Sequence, residues 1–405
     1  MEFKNVDFSL ITPQVIFGSS RINELGEKCR EILKSERKNE LKALLVTGKS
    51  SLKKSGNLEK ISNILRKKKI FIQQYKAGKE PTTEIINRGK DRALKYNADI
   101  IIGIGGGSVL DTAKAIAGLI TNGGKVQDYH EGKEFIKEPQ PFILSPTTAG
   151  TGSEITNNAV IKDSEKGIKK SIRGLWANLA LLDPELTLPL PKKFTAFSGA
   201  DALVQAIESL VSKARNYISD LFARESIVYL GKNLPLVCDA LDNIEFREKM
   251  LLGSLLGALS FANGKLGAVH GFAHPIGIQH DVPHGKICGL LMPYVMEYNL
   301  GIDHVEEKYA WIAEQFHSQG ILKEYGEASR KLPETVKEKA TWAIEKIIIK
   351  RKADNVAKTP QDAFSVDGDG FINYGVSLVV TLALGQAQSS FEVLKRKGCV
   401  QISLV

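Results

Sequence analysis

The stretch HGFAHPIGIQHDVPHG, residues 270–285, carries four of the seven histidines in the chain. Imidazole changes charge near neutral pH and is the commonest protein ligand for borderline metals, so such crowding points to a metal or a mobile proton. His270 and His274 are four residues apart and share one face if the segment is helical. His284 returns in PHG after a turn, and His280 reads as structural. One carboxylate added to two imidazoles gives a site with an open position, suited to a divalent ion acting as a Lewis acid.

A second chemistry lies upstream, in IIIGIGGGSVLDTAKAIAGLI (100–120), where an apolar strand runs into a helix through glycines. Ser108 is the expected N-cap, with Asp111 completing a capping box. Val109, Ala113, Ile116, Ala117 and Ile120 should then line one helix face. Gly105, Gly106 and Gly107 let backbone N–H groups approach a ligand, and the helix N-terminus adds partial positive charge, which suits a pyrophosphate. Ser108 stands where the dinucleotide fingerprint G-x-G-x-x-G has its last glycine. A second polar loop, SPTTAGTGSE (145–154), offers Thr147, Thr148, Thr151 and Ser153 beside Gly150 and Gly152.

The elements that must position these residues follow from periodicity. LKALLVTG (41–48), KIFIQQY (69–75), ADIIIGIGGG (98–107) and PFILSPTT (141–148) read as strands. The helical patterns NLEKISNILRKK and TTEIINRGKDRALKYN lie between them, which implies a parallel sheet covered on both faces. After LPLPKKFTA (188–196) strand signals fade, and 198–232 and 246–263 show helical periodicity. The expectation is an α/β dinucleotide-binding domain over 1–190 and an all-α domain over 191–405. That is compatible with 405 residues, more than one core usually holds.

Bulk properties narrow the partners. The formal charge of +9 comes from dispersed lysines, and the run RKKK (66–69) ends an amphipathic helix, so no nucleic-acid partner is expected. No apolar run reaches membrane-spanning length, MEFKNVDFSL has no signal-peptide core, and the four cysteines form no CxxC pair. A cytoplasmic protein with free thiols and no membrane partner is expected.

GGGSVLDTAKAIA, PTTAGTGSEITNNAVIKD, LLDPELTLPLP, TAFSGADALVQAIES and HGFAHPIGIQHDVPHG occur in that order. Together they closely resemble the iron-containing (group III) alcohol dehydrogenase family, over roughly residues 5 to 300. The resemblance implies the dehydroquinate synthase-like fold, with metal and substrate in a cleft between the two domains. It places Gly105, Gly106, Gly107, Ser108 and Asp111 on the cofactor pyrophosphate and ribose, and Thr147, Thr148 and Thr151 on its other side. Lys170 and Leu188 would flank the nucleotide. Asp201, His270 and His284 would hold Fe²⁺ or Zn²⁺, and His274 would relay a proton near the nicotinamide. Asn158 and Phe261 would line a pocket for a small alcohol or aldehyde, and the assembly would be a homodimer or higher homo-oligomer.

Three positions depart from that pattern. Where the family carries a histidine one turn after the helical aspartate, this chain has Gln205, whose amide oxygen is a weaker, neutral ligand. It could ligate, be replaced by water, or leave the site largely empty. NAD-selective relatives tend to carry Asp at the position of Gly48. Its absence, beside Lys49, Ser50 and Ser51, favours NADP(H) over NAD(H). Beyond about residue 330 the family pattern is lost, and SVDGDGFINYG (365–375) lacks the glutamate of a calcium loop, so it reads as a surface turn. The reaction implied is hydride transfer between a nicotinamide and a small alcohol or aldehyde. The alternatives are a metal-independent reductase of the maleylacetate type, a lyase of the dehydroquinate synthase type, and a non-catalytic assembly subunit.

Overall fold

The structure is a computed structural model and describes residues 12–34, 39–280, 282–318 and 335–339. The stretch 365–375 lies outside them. The chain begins with β1 (Gln14–Phe17), α1 (Leu25–Ile32), β2 (Leu41–Thr47), α2 (Ser51–Lys54), α3 (Asn57–Lys67) and β3 (Ile70–Lys76). There follow α4 (Thr83–Tyr96), β4 (Ile100–Gly105), α5 (Gly107–Asn122), α6 (Val126–His130) and β5 (Phe142–Pro146). A hairpin of β6 (Ala159–Asp163) and β7 (Ile168–Ile172) leads to β8 (Leu179–Leu182). Then come α7 (Lys192–Val211), α8 (Tyr217–Asp239), α9 (Ile244–Gly264), α10 (Ala268–His280), α11 (His284–Tyr298) and α12 (Asp303–Ser318).

Six strands form one parallel sheet in the order β1-β8-β5-β4-β2-β3. Alternate side chains explain why helices cover both faces. Leu44, Val46, Ile101 and Leu144 pack with α4 and α5, whereas Ala43, Leu45, Ile102, Ile104 and Ile143 pack with α1 and α3. Each fully buried aliphatic side chain contributes roughly 1.5–3 kcal/mol, so the unbroken apolar run of β4 fixes it at the centre of the sheet. The four strands read from the sequence are β2, β3, β4 and β5. The β6–β7 hairpin is an addition: its two strands pair antiparallel, outside the main sheet.

Three local readings are corrected. The N-cap of α5 is Gly106, not Ser108; Ser108 lies inside the first turn, and its Oγ donates to the Lys79 carbonyl at 3.1 Å. The expected capping box is absent because Asp111 is engaged elsewhere, accepting from Ser153 Oγ at 2.6 Å and Val160 N at 3.0 Å. Nor does α5 bury only one face, since residues 112–119 are all buried. The helix is enclosed by the sheet, by Leu175 and by Phe135, whose ring lies 2.7 Å from where a Cβ on Gly118 would sit. The stretch 198–232 is helical as expected, and it is divided into two helices where Asn216 caps α8 by accepting from Ser219 N at 3.0 Å.

Candidate active site and metal centre

Three helices bring the chemistry together. Asp201 lies on the buried side of α7, with Gln205 and Glu208 one and two turns further on. His270 and His274 project from α10, and His284 and Cys288 from the first turns of α11. Gly285 makes this approach possible: a Cβ there would lie 2.1 Å from the Phe197 carbonyl oxygen and 3.2 Å from Asp201 Cβ. The glycine of PHG thus lets α11 rest directly on α7.

Four donor atoms converge within 4.8 Å of one another: one each from Asp201, His270, His284 and Cys288. Asp201 Oδ1 is 3.3 Å from His270 Nε2 and 3.7 Å from His284 Nε2. Cys288 Sγ lies 3.6 Å from His284 Nε2 and 3.9 Å from His270 Nε2. Behind them Glu208 grips α10 twice, meeting His270 Nδ1 at 2.5 Å and accepting from Val269 N at 2.7 Å. A carboxylate on the far nitrogen fixes the ring and directs Nε2 forward, as in carboxylate–histidine–metal arrangements.

Electrostatics follow from burial and crowding. Burial alone would raise the Asp201 carboxyl, but the His284 and His270 imidazoles outweigh it and hold it below the usual range. Burial opposes protonation of His270, yet its bonds to Asp201, Cys288 and Glu208 raise it well above the ordinary value. His284 is depressed by burial despite the nearby Asp201. His274 is lowered to about 4, first by burial and then by His284 and Lys169. The Cys288 thiol is pushed up to about 12 by burial, with Asp201 adding to the effect. These residues fit a divalent cation: oxygen, nitrogen and sulfur donors face one point, and the buried Gln205 Oε1 has no hydrogen-bond partner.

The two glycine loops meet above β4. Gly106 and Gly107 face Thr148 and Thr151, and a Cβ on Gly107 would lie 2.8 Å from Thr151. Thr147 N donates to the Gly105 carbonyl at 2.9 Å. The second loop also reaches α7 and α9. Gly150 abuts Ser198, one turn before Asp201, while Gly152 presses on Ala258 and lies beside Phe261. Gly48 ends β2 beside Val109 of α5, and Lys49 and Ser50 are exposed there.

The remaining expected residues are distributed around this centre. Asn158 gives its carbonyl to Lys114 Nζ. Lys170 donates to the His130 carbonyl at 2.7 Å, and it is Lys169 whose charge acts on His274 and His284. Leu188 ends the short 3₁₀ turn after β8, its carbonyl 3.4 Å from an Arg247 nitrogen. His274 stacks on His284 with ring centroids 4.9 Å apart, and exposed His280 lies outside the cluster. The sequence reading missed Glu208, Lys169, Cys288 and Lys114. Lys114, fully buried, pairs with Asp111 at 3.1 Å and binds the Ser153 carbonyl at 2.9 Å, anchoring the second loop to α5.

Comparison with known proteins identifies the family and the fold. The family model described as iron-containing alcohol dehydrogenase matches residues 12–184, and its C-terminal counterpart matches 195–348. The chain is 33% identical to the NAD-dependent methanol dehydrogenase of Bacillus methanolicus over 307 residues, 75% of this chain and 78% of that protein. It is 36% identical to the 1,3-propanediol dehydrogenase of Klebsiella pneumoniae over 315 residues, 76% of this chain and 79% of that one. A crystal structure of a 1,3-propanediol oxidoreductase superposes with a TM-score of 0.75 at 31% identity, covering 84% of this chain and 86% of the other.

Proposed function

The chain belongs to the iron-containing alcohol dehydrogenase family and is a metal-dependent alcohol dehydrogenase acting on CH–OH groups; from that premise we propose that it works with NADP(H) on short alcohols and aldehydes. The observation that carries the reading is the convergence of Asp201, His270 and His284 on one buried point. These three hold the divalent ion, Fe²⁺ or Zn²⁺, and Gln205 stands where the family supplies a further imidazole. When bound, the ion polarises the carbonyl oxygen and the nicotinamide supplies or takes the hydride.

This chain's own residues do the rest. The backbone at Gly105, Gly106, Gly107 and Ser108 receives the pyrophosphate at the α5 N-terminus. Asp111 on α5 braces the second loop through Ser153 Oγ, while Thr147, Thr148 and Thr151 close the other side. Lys170 and Leu188 border the nucleotide. His274, held uncharged by burial and stacked on His284, would accept the alcohol proton and return it in the reverse direction. Asn158 and Phe261 would bound the substrate pocket. Gly48, Lys49 and Ser50 offer a position with no carboxylate to repel a 2′-phosphate. The nucleotide-binding domain runs up to residue 190 and the metal-binding one starts at residue 191. The enzyme works in the cytoplasm as a homodimer or higher homo-oligomer. No helix of the described residues is long and apolar enough to cross a membrane.

The test is oxidation of NADPH and of NADH across a panel of short aldehydes, on chelator-stripped protein re-supplied with Fe²⁺ or Zn²⁺. Activity that disappears on stripping and returns with one ion, greater with NADPH, is the expected result. Activity indifferent to chelation would instead mean a metal-independent reductase, and preference for NADH would overturn the cofactor assignment.

A further inference from the structure

Replacing a histidine by Gln205 leaves Asp201, His270 and His284 one strong donor short. The fourth helix-borne donor in the cluster is a thiol that the sequence disguises as core. Cys288 is fully buried, one turn beyond His284 on α11, in the apolar run ICGLLM. Its neighbours Ile287 and Met292 belong to the core between α7 and α11. Its sulfur nevertheless faces Asp201 and both imidazoles.

We propose that Cys288 is the fourth metal ligand, so that the centre is an Asp/His/His/Cys site that prefers zinc to ferrous iron. The inference rests on the three-residue metal site above and adds its missing donor. Geometry supports it. With metal–nitrogen and metal–oxygen bonds of about 2.0–2.2 Å and a metal–sulfur bond of about 2.3 Å, a tetrahedron has O–N edges of about 3.3 Å and N–S edges of about 3.6 Å. The corresponding separations are 3.3 and 3.7 Å for Asp201 to the two imidazoles, and 3.6 and 3.9 Å for Cys288 to them. Four edges therefore match an ion held tetrahedrally with shifts of a few tenths of an ångström, and the substrate oxygen would enter as a fifth ligand, as catalytic zinc allows.

The donor chemistry agrees. A thiolate is a soft anion, and with two imidazoles and one carboxylate it makes a set that favours zinc over harder oxygen-preferring ions. On ligation the sulfur–hydrogen bond breaks, its electron pair binds the cation and the proton leaves to solvent. Two anionic ligands then neutralise the two positive charges, which suits a buried centre. Gln205 Oε1, buried and without a hydrogen-bond partner, is left as a neutral acceptor.

Titration of the stripped full-length protein with Co²⁺ tests the assignment. The expected spectrum is one cobalt per chain with a thiolate-to-cobalt charge-transfer band in the near ultraviolet. In Cys288→Ser that band should be lost, while the band should survive in Gln205→Ala. Zinc-edge X-ray absorption of the unaltered protein gives a second reading that needs no variant, and one sulfur scatterer at about 2.3 Å is expected. Stoichiometric cobalt or zinc without a sulfur signature would overturn the Cys288 assignment and leave the three-ligand site standing. A sulfur band that persists in Cys288→Ser would also overturn it, and failure to bind either ion would overturn both.

Discussion

Glu208 is not one of the four clustered donors, yet it holds His270 through Nδ1 and the start of α10 through Val269 N. Removing its charge while keeping an oxygen for Val269 N should loosen the carboxylate's hold on the His270 ring. Glu208→Gln is therefore expected to lower metal affinity by about 10- to 100-fold, with the fold retained; competition against a chromophoric chelator would measure it. Unchanged affinity would mean that packing alone orients His270. Glu154 poses a separate question of pH. Burial raises its carboxyl to about 7, only partly offset by backbone bonding and Lys114. A carboxyl that binds its proton more tightly when folded costs nothing below its unfolded value and destabilises progressively as pH rises through the folded one. The window thus runs from about 4.5 to about 7. A shift of this size corresponds to up to ~3 kcal/mol. Glu154→Gln should gain that much on the parent between pH 5 and pH 8 in denaturant unfolding, and a constant difference would refute the assignment.

The centre depends on how closely helices approach, and α11 depends on Gly285. A methyl group there would meet the Phe197 carbonyl at 2.1 Å, and backbone cannot turn aside as a side chain can. Gly285→Ala should push α11 off α7, costing roughly 1–3 kcal/mol of stability and carrying His284 and Cys288 away from Asp201. Metal content after dialysis should fall well below one per chain even where the helical circular dichroism is kept, and full occupancy would show that α11 can slide without penalty. The same elements explain what could be read in advance. β4 and α4 were legible because their periods of two and 3.6 residues are set by burial against a sheet. The break between α7 and α8 was not, since Ser212–Asn216 interrupts two apolar patterns with a turn whose cap, Asn216, also occurs within helices. Asp201, His270 and His284 stood out by residue type and motif. Cys288 and Glu208 did not, because a cysteine amid leucines reads as packing and a helical glutamate as surface. Only the meeting of α7, α10 and α11 gives either one a partner.

At the scale of the whole molecule, the sheet order decides where the nucleotide goes. The chain passes from β2 outward to β3 and then crosses to the other side of β2 to lay down β4. Between the carboxyl ends of β2 and β4 the connections diverge, and open parallel sheets bind ligands in such a crevice. Gly48 ends one of these strands and Gly105–Gly107 the other, so the adenosine ribose should lie against Gly48 when the pyrophosphate sits on α5. A Cβ on Gly48 would be 3.5 Å from Ser51 Oγ and 4.0 Å from Val109 Cγ2, ordinary contacts that leave room for a larger side chain. Gly48→Asp can therefore be accommodated without disturbing β2, and its carboxylate would accept from a ribose 2′-hydroxyl but repel a 2′-phosphate. A charged hydrogen bond of this kind is worth ~1.5–3 kcal/mol, so the ratio of kcat/KM for NADPH to that for NADH should fall about 10- to 100-fold. The fall should come mainly from KM, because the group lies far from the reacting carbon. An unchanged ratio with intact activity would place the ribose elsewhere and remove Lys49 and Ser50 from the cofactor site. A fall in kcat for both cofactors alike would mean instead that the substitution disturbs α5 itself.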